Sequence, residues 1–205
     1  MSAPLATALA KLARVTSGAT VRWVESCPAP GARVYFANHS SHLDFVVLWS
    51  ALPPELRDRT RPVAARDYWE AGPLRRYLAG RVFRAVLVDR GGGSPRQIRE
   101  QLERLVAALD EGSALILFPE GTRGSGPVMG QFRSGLYYLA RQRPQVDLVP
   151  VHLHNLHRIL PKGAWLPVPL LSTVSFGPPL RLREGEGKAP FLARARAAIE
   201  ALEPS

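Results

Sequence analysis

Cysteine is almost absent. Cys27 is the single one in 205 residues, which excludes an internal disulfide framework and any cysteine-rich zinc site. A lone thiol is compatible with a reducing compartment. Lysine is confined to Lys11, Lys162 and Lys188, so arginine carries most of the positive charge. No apolar run approaches the about 20 residues that a spanning helix needs. The first residues are mildly apolar but interrupted by Lys11 and Arg14, and a secretory signal would place its charge ahead of the apolar stretch. Neither a spanning helix nor a signal peptide is expected. The longest charge-free run, Gly163 to Leu180, holds Pro167, Pro169, Pro178 and Pro179. Prolines at that density break a helix, so the run reads as loop plus strand, with Trp165, Leu166, Leu170 and Leu171 as candidates for lipid contact. Both Gly-x-x-x-x-Gly-Lys-Ser/Thr and Gly-x-Gly-x-x-Gly are missing, which argues against nucleotide binding. No recognised nucleic-acid motif or basic-aromatic stripe is present either, so no nucleic-acid partner is expected.

What is there suits an ordinary globular domain. Hydrophobic residues make up 46% and charged residues 21%, which excludes wholesale disorder and a fibrous repeat. The length fits one domain, residues 1–205, with no linker long enough to divide it. The formal net charge of +10 suits a polyanion, whether nucleic acid, anionic lipid headgroups or a phosphorylated substrate; the competing reading is arginine-biased coding with no partner. Arg75, Arg76, Arg81 and Arg84 form one basic cluster.

Strand-like and helix-like segments alternate. Extended candidates are Thr20–Glu25, Ala32–Ala37, Arg61–Arg66, Val82–Asp89, Ser113–Phe118, Val146–Leu153 and Thr173–Gly177. The clearest helix runs from Arg96 to Asp110. There Ile98, Leu102, Leu105, Val106 and Leu109 share a face, and Gly112 provides a stop. Phe132–Arg141 and Phe191–Leu202 show the same pattern more weakly. Within residues 1–19, Leu5, Leu9, Leu12 and Val15 fall on one face of a short amphipathic helix, able to cover the domain or lie on a membrane. The alternation predicts an α/β single-domain sandwich with a central, largely parallel or mixed sheet flanked by helices.

Three segments carry candidate chemistry. In Asn38-His-Ser-Ser-His-Leu-Asp44, a strand end opens onto an apolar helix start, where α/β folds place ligand chemistry. His39 and Asp44 are five residues apart, about 500° of continuous helix and so roughly 140° between side chains. They meet only if His39 stays in the turn while Asp44 opens the helix, with Ser40 or Ser41 as N-cap. Asp44 would then fix the imidazole tautomer and leave the other nitrogen to take a proton. Alternatively, Ser41-x-x-Asp44 is a capping box and nothing more. In Leu115 to Gly124, an apolar strand runs into Pro-Glu-Gly-Thr-Arg. Gly121 permits a tight turn, Arg123 suits bidentate grip on phosphate, and Glu120 would orient Arg123 or bind an acceptor hydroxyl. The competing reading is a generic turn with a surface ion pair. In Val86 to Pro95, another strand ends in Asp89 and Arg90 before a glycine run expected to form a loop.

Together these segments resemble the lysophosphatidic acid and glycerol-3-phosphate acyltransferase family, the PlsC-like enzymes. The likeness covers roughly Arg33 to Val151. Asn38-His39-x-x-x-x-Asp44 resembles the family's catalytic motif, Val88-Asp89-Arg90 its second block and Phe118-Pro-Glu-Gly-Thr-Arg123 its third. Phe132-Arg-Ser-Gly135 is similar to its Phe-Lys/Arg-x-Gly step, and Val149-Pro150-Val151 to its fourth block. The resemblance implies transfer of a fatty acyl group from a coenzyme A or acyl carrier protein thioester to a lysophospholipid hydroxyl. His39 would be the general base and Asp44 its support, with no covalent intermediate, metal or cofactor. It also implies acceptor binding by Arg90, Glu120, Gly121, Thr122 and Arg123, and an acyl-donor wall near Pro150. Many relatives carry an N-terminal membrane helix or helix pair. Its apparent absence points to peripheral contact with an anionic membrane at the cytoplasmic face, or to another acceptor such as lyso-ornithine lipid or a different alcohol. The rival readings are a metal-dependent hydrolase, with His39, His42 and Asp44 joined by His152, His154 or His157, and a non-catalytic basic binding module.

Overall fold

The computed structural model describes residues 3–41, 43–90, 94–124, 128–156 and 172–204. The elements in chain order are α1 (Ala3–Ser17), β1 (Thr20–Trp23), β2 (Arg33–Ala37), α2 (Asp44–Ala51), α3 (Pro54–Arg57), β3 (Thr60–Ala65), α4 (Arg66–Trp69) and α5 (Pro73–Tyr77). A π-helical turn, Leu78–Val82, follows α5. Then come β4 (Val86–Val88), α6 (Pro95–Asp110), β5 (Ala114–Leu117), α7 (Gly135–Gln142), β6 (Asp147–His154), β7 (Thr173–Phe176) and α8 (Lys188–Glu200). Among the described residues seven strands form one sheet in the order β1-β7-β6-β2-β5-β3-β4. Every pairing is parallel except β6 with β7. The expected α/β sandwich with a mixed sheet is what the chain adopts.

Helices cover both faces. Tyr35 and Ala37 of β2 point into a core shared with α1, α2 and Phe83, while Val34 and Phe36 point into one shared with α6, α7 and α8. A strand buried on both faces reads as an unbroken apolar run, which is why β2 is plain in the sequence. The long helix α6 is plain for other reasons. Pro95 opens it, and Ser94 and Gln97 form a reciprocal capping box. Gly112 ends it with a positive φ of 79°, a conformation that costs glycine nothing.

Four expectations shift. The apolar stripe of α1 packs only through its first half, Leu5 and Leu9. Ala6, Ala10, Ala13 and Ser17 are buried, whereas Leu12 is 58% and Val15 79% exposed. Small side chains let the α1 and α2 backbones approach closely, and that contact outcompetes the larger but more peripheral leucines. The strand expected over Val82–Asp89 shrinks to Val86–Val88, because Val82 and Phe83 turn into the core and Arg84 takes a positive φ of 49°. Phe83 there meets Phe45 and Trp49 edge-on at 5.0 and 5.2 Å. The helix expected from Phe132 begins at Gly135, since the Arg133 amide is bonded to the Pro119 carbonyl. Neither Ser40 nor Ser41 caps α2, whose N-cap is Leu43; the Ser41 hydroxyl accepts from the Leu43 amide instead. The lipid-contact candidates Trp165, Leu166, Leu170 and Leu171 and the run Gly91–Gly93 lie outside the described residues.

The α1–α2 contact is testable by overpacking. Ala10→Leu is expected to lower unfolding free energy by about 1–3 kcal/mol, while Val15→Ser on the outer face stays within about 0.5 kcal/mol. Denaturant melts of the two variants distinguish this packing from one led by the leucine stripe.

Candidate active site

Strands β5, β2 and β6 are parallel neighbours, so their C-terminal ends open side by side, and the chain leaves β2 there at Asn38. The Asn38 side chain mimics a strand neighbour. Its Nδ2 donates to the Leu153 carbonyl at 3.0 Å and its Oδ1 accepts the Leu153 amide at 2.7 Å. This tie holds the turn against the last residues of β6.

His39 follows, still in the turn, and Asp44 is the first residue of α2, the arrangement their spacing requires. The His39 Nδ1 lies 2.8 Å from Asp44 Oδ2. The same oxygen accepts the amides of Ser40 at 2.6 Å and Ser41 at 2.8 Å. An oxygen that already takes two N–H bonds orients Nδ1–H toward itself, leaving the lone pair on Nε2. The Asp44 side chain is wholly buried while that of His39 is 22% exposed, so the couple meets its surroundings through the imidazole alone. The His39 ring also stacks on Phe118, with centroids 4.2 Å apart and planes 19° from parallel. The expected Ser41-x-x-Asp44 capping box does not form, since Leu43 is the N-cap of α2; the Asp44 oxygen instead ties the preceding turn and the imidazole together.

The segment after β5 wraps the other side of His39. Glu120 is buried at 5% exposure. Its Oε1 accepts the His39 amide at 2.8 Å and its Oε2 the Gly130 amide at 2.7 Å. The His39 carbonyl accepts the Gly124 amide at 2.9 Å. Gly121 has a positive φ of 69°, and a Cβ there would lie 2.7 Å from the Arg133 side chain, so both turn and close approach call for glycine. Thr122 and Arg123 are exposed, and among the described residues Arg123 is in no ion pair.

Arg90 stands apart. It follows β4, three strands from β2, or about 14 Å by strand spacing. There it is 3.5 Å from Asp67, while its neighbour Asp89 pairs with Arg66 at 3.0 Å. Pro150 is buried opposite Phe36, three residues short of His39 in register, against Gly177. Asn38, Phe118, Gly130 and Arg133 are site residues that motif reading quoted or passed over without assigning a role. The signal for Asn38 was its place immediately before His39. Arg133 packs over Gly121 and donates Nε–H to the Glu120 carbonyl at 3.2 Å, and nothing local to its sequence announces that.

Among the described residues, His152 and His154 of the second histidine group form no metal-holding cluster with His39 and Asp44. His152 and His154 have ring centroids 6.0 Å apart on β6, and among the described residues no group of three or more His, Cys, Asp or Glu could hold a metal. His42 and His157 lie outside the described residues. Burial holds the His152 imidazole below the ordinary 6.5, and His154 repels its charge further, against a partial pull from Glu203. A separate open cleft of about 460 Å³, lined by Arg61, Gly80, Arg84, Ala85, Glu111 and Ser113, lies at the strands' N-terminal ends, away from His39.

The model of the Acyltransferase family matches residues 19–154, a span that includes every residue named above from Asn38 to His154. The 1-acyl-sn-glycerol-3-phosphate acyltransferase alpha of Mus musculus is 32% identical over 133 residues, which is 64% of this chain and 43% of that protein. The 1-acyl-sn-glycerol-3-phosphate acyltransferase of Limnanthes alba is 27% identical over 152 residues, 72% of this chain and 50% of that protein. The chain thus spans about half the length of these curated relatives. The crystal structure of the 1-acyl-sn-glycerophosphate acyltransferase PlsC from Thermotoga maritima matches in fold, with a TM-score of 0.73 at 18% identity over 97% of this chain and 77% of that one.

His152 makes a checkable contribution to stability. Its folded pKa is depressed, so its contribution is full above the unfolded value of 6.5 and is lost as the pH falls through the folded one. A His152→Gln variant should therefore show a shallower fall in denaturation midpoint than the parent between about pH 7 and about pH 5.

Proposed function

The chain belongs to the Acyltransferase family, and we propose that it transfers a fatty acyl group from an acyl thioester to the free hydroxyl of 1-acyl-sn-glycerol-3-phosphate, giving phosphatidic acid. The observation that carries this reading is the 2.8 Å contact between His39 Nδ1 and the buried Asp44 oxygen, in a couple whose imidazole side keeps 22% exposure. His39 Nε2 takes the acceptor's hydroxyl proton as that oxygen attacks the thioester carbonyl carbon. The tetrahedral intermediate collapses, the carbon–sulfur bond breaks, and the thiolate leaves with the proton returned by His39. Asp44 stabilises the imidazolium in between. A thioester is already activated, so the reaction needs no metal, no cofactor and no serine or cysteine nucleophile. Cys27 is exposed and outside every motif.

The acceptor's phosphate is assigned to arginine because guanidinium grips phosphate in two parallel hydrogen bonds. Arg123 suits this role on geometry: it is exposed, lacks an ion-pair partner among the described residues, and sits on the loop that holds the His39 backbone. Thr122 and Gly121 share that loop. Arg90, at the sheet edge and 3.5 Å from Asp67, meets the phosphate of the acceptor on its approach from the lipid surface. Pro150 supports β6 beneath the acyl-donor wall. The donor is coenzyme A or acyl carrier protein.

The reading also places the enzyme at the inner face of the cell membrane, held from outside the bilayer. No described helix is long and apolar enough to cross a membrane. Leu12 and Val15 on α1 and Leu74 and Tyr77 on α5 are exposed apolar side chains. Lys11, Arg14, Arg75, Arg76 and Arg81 beside them are exposed as well. Apolar insertion with basic flanks is the chemistry of peripheral attachment to anionic lipid.

An acceptor screen tests the assignment. Lysophosphatidate, lyso-ornithine lipid, glycerol 3-phosphate and neutral alcohols are offered with a labelled acyl thioester, and products are read by mass spectrometry. Label in phosphatidic acid is expected; label only in a phosphate-free product would refute the acceptor. His39→Ala should abolish transfer in a folded protein, and Asp44→Asn should lower kcat by roughly 10²–10⁴-fold. Near-normal turnover in either removes the mechanism. Arg123→Ala should raise KM for a phosphorylated acceptor about tenfold or more while sparing phosphate-free alcohols. An equal loss for both kinds of acceptor overturns the phosphate role.

A further inference from the structure

We infer that Glu120 is a positioning residue, whose carboxylate clamps the His39 peptide to the loop after β5 instead of meeting the acceptor. The inference rests on the acyl-transfer reading above for its kinetic consequence, though not for its geometry. Both oxygens of this buried carboxylate are engaged by backbone amides, Oε1 by His39 at 2.8 Å and Oε2 by Gly130 at 2.7 Å. At 5% exposure the group has little left to offer a substrate hydroxyl. The clamp is closed from every side. The His39 carbonyl accepts the Gly124 amide, and the Arg133 amide is bonded to the Pro119 carbonyl. The Arg133 Nε–H is bonded to the Glu120 carbonyl. At Gly130 a Cβ would stand 2.9 Å from Glu120 Oε2, so the amide reaches the carboxylate only because no side chain intervenes.

The consequence is a mechanical link. Glu120 begins the turn that ends in Arg123, and its carboxylate holds the backbone of the base. The phosphate-binding arginine and the general base are thereby mounted on one hydrogen-bonded unit. A phosphate seated at Arg123 then sets the distance from the acceptor hydroxyl to His39 Nε2. A misplacement of about 1 Å costs on the order of 10²-fold in rate, so this link governs kcat more than affinity.

Two variants separate positioning from substrate contact. Glu120→Gln keeps the volume but offers one acceptor oxygen where two N–H groups converge. Gly130→Ala leaves Glu120 in place chemically and pushes its carboxylate aside with a methyl group. Each is expected to lower kcat by roughly 10–10²-fold with the acceptor KM within about twofold of the parent. In NMR spectra each should lose the hydrogen-exchange protection of the His39 amide. A tenfold or greater rise in acceptor KM for Glu120→Gln at unchanged kcat would overturn the inference, because it marks a substrate contact. Unchanged amide protection in both variants would overturn it too. Should Glu120→Gln fail to fold by circular dichroism, Gly130→Ala decides. If the parent transfers no acyl group to any acceptor, the function fails, yet the NMR readouts still decide the clamp.

Discussion

Three N–H groups converge on a single carboxylate oxygen: the imidazole Nδ1 of His39 and the amides of Ser40 and Ser41 all lie within 2.8 Å of Asp44 Oδ2. A buried carboxylate is costly unless hydrogen-bonded, and here the bonds that stabilise it also shape the turn. The amides of Ser40 and Ser41 reach the oxygen only if the chain folds back just ahead of α2. That fold is what carries His39 out of the helix and onto the same oxygen. The start of α2 and the orientation of the His39 imidazole are therefore one structural event. A helix begun a residue earlier would swing the imidazole away by about 100°.

Around this couple the site is built from pieces distant in sequence but adjacent at the sheet's C-terminal edge. Asn38 reaches Leu153, 115 residues on, and the His39 amide reaches Glu120, 81 residues on. Both ties run between the ends of strands that are already neighbours, β2 with β6 and β2 with β5. The sheet order supplies the proximity and the side chains convert it into fixed geometry. Phe118 completes the enclosure by stacking under the imidazole, leaving the ring constrained in plane and in register.

The surface follows a separate logic. Arginine and lysine on α1, α5 and the π turn accompany exposed apolar side chains, while the surroundings of His39 are shaped by glycines that permit close approach at Gly121 and Gly130. The net charge of +10 thus has two proposed uses, lipid headgroups at the periphery and a phosphate at the centre. Arg123, without an ion-pair partner among the described residues, belongs to the second; Arg90, paired with Asp67, stands nearer the first.

Much of this could be read along the chain, because some energies are local. The capping box and Gly112 of α6, the doubly buried run of β2, and the need for His39 to sit in a turn ahead of Asp44 each depend on residues a few positions apart. The patterns therefore survive in the bare order of amino acids. What that order left open was every choice made between distant partners. Periodicity marked the leucine stripe of α1, but only Leu5 and Leu9 of it pack on the core, and α2 lies close enough to take the alanines. The apolar run after Val82 suggested strand, but Phe83 found aromatic neighbours on α2. Nothing beside Glu120 in the chain announces that its carboxylate accepts the amide of His39, 81 residues away. Such choices are set by which strand ends the crossovers bring side by side, and that is a property of the packed sheet, with no counterpart in any short stretch of chain.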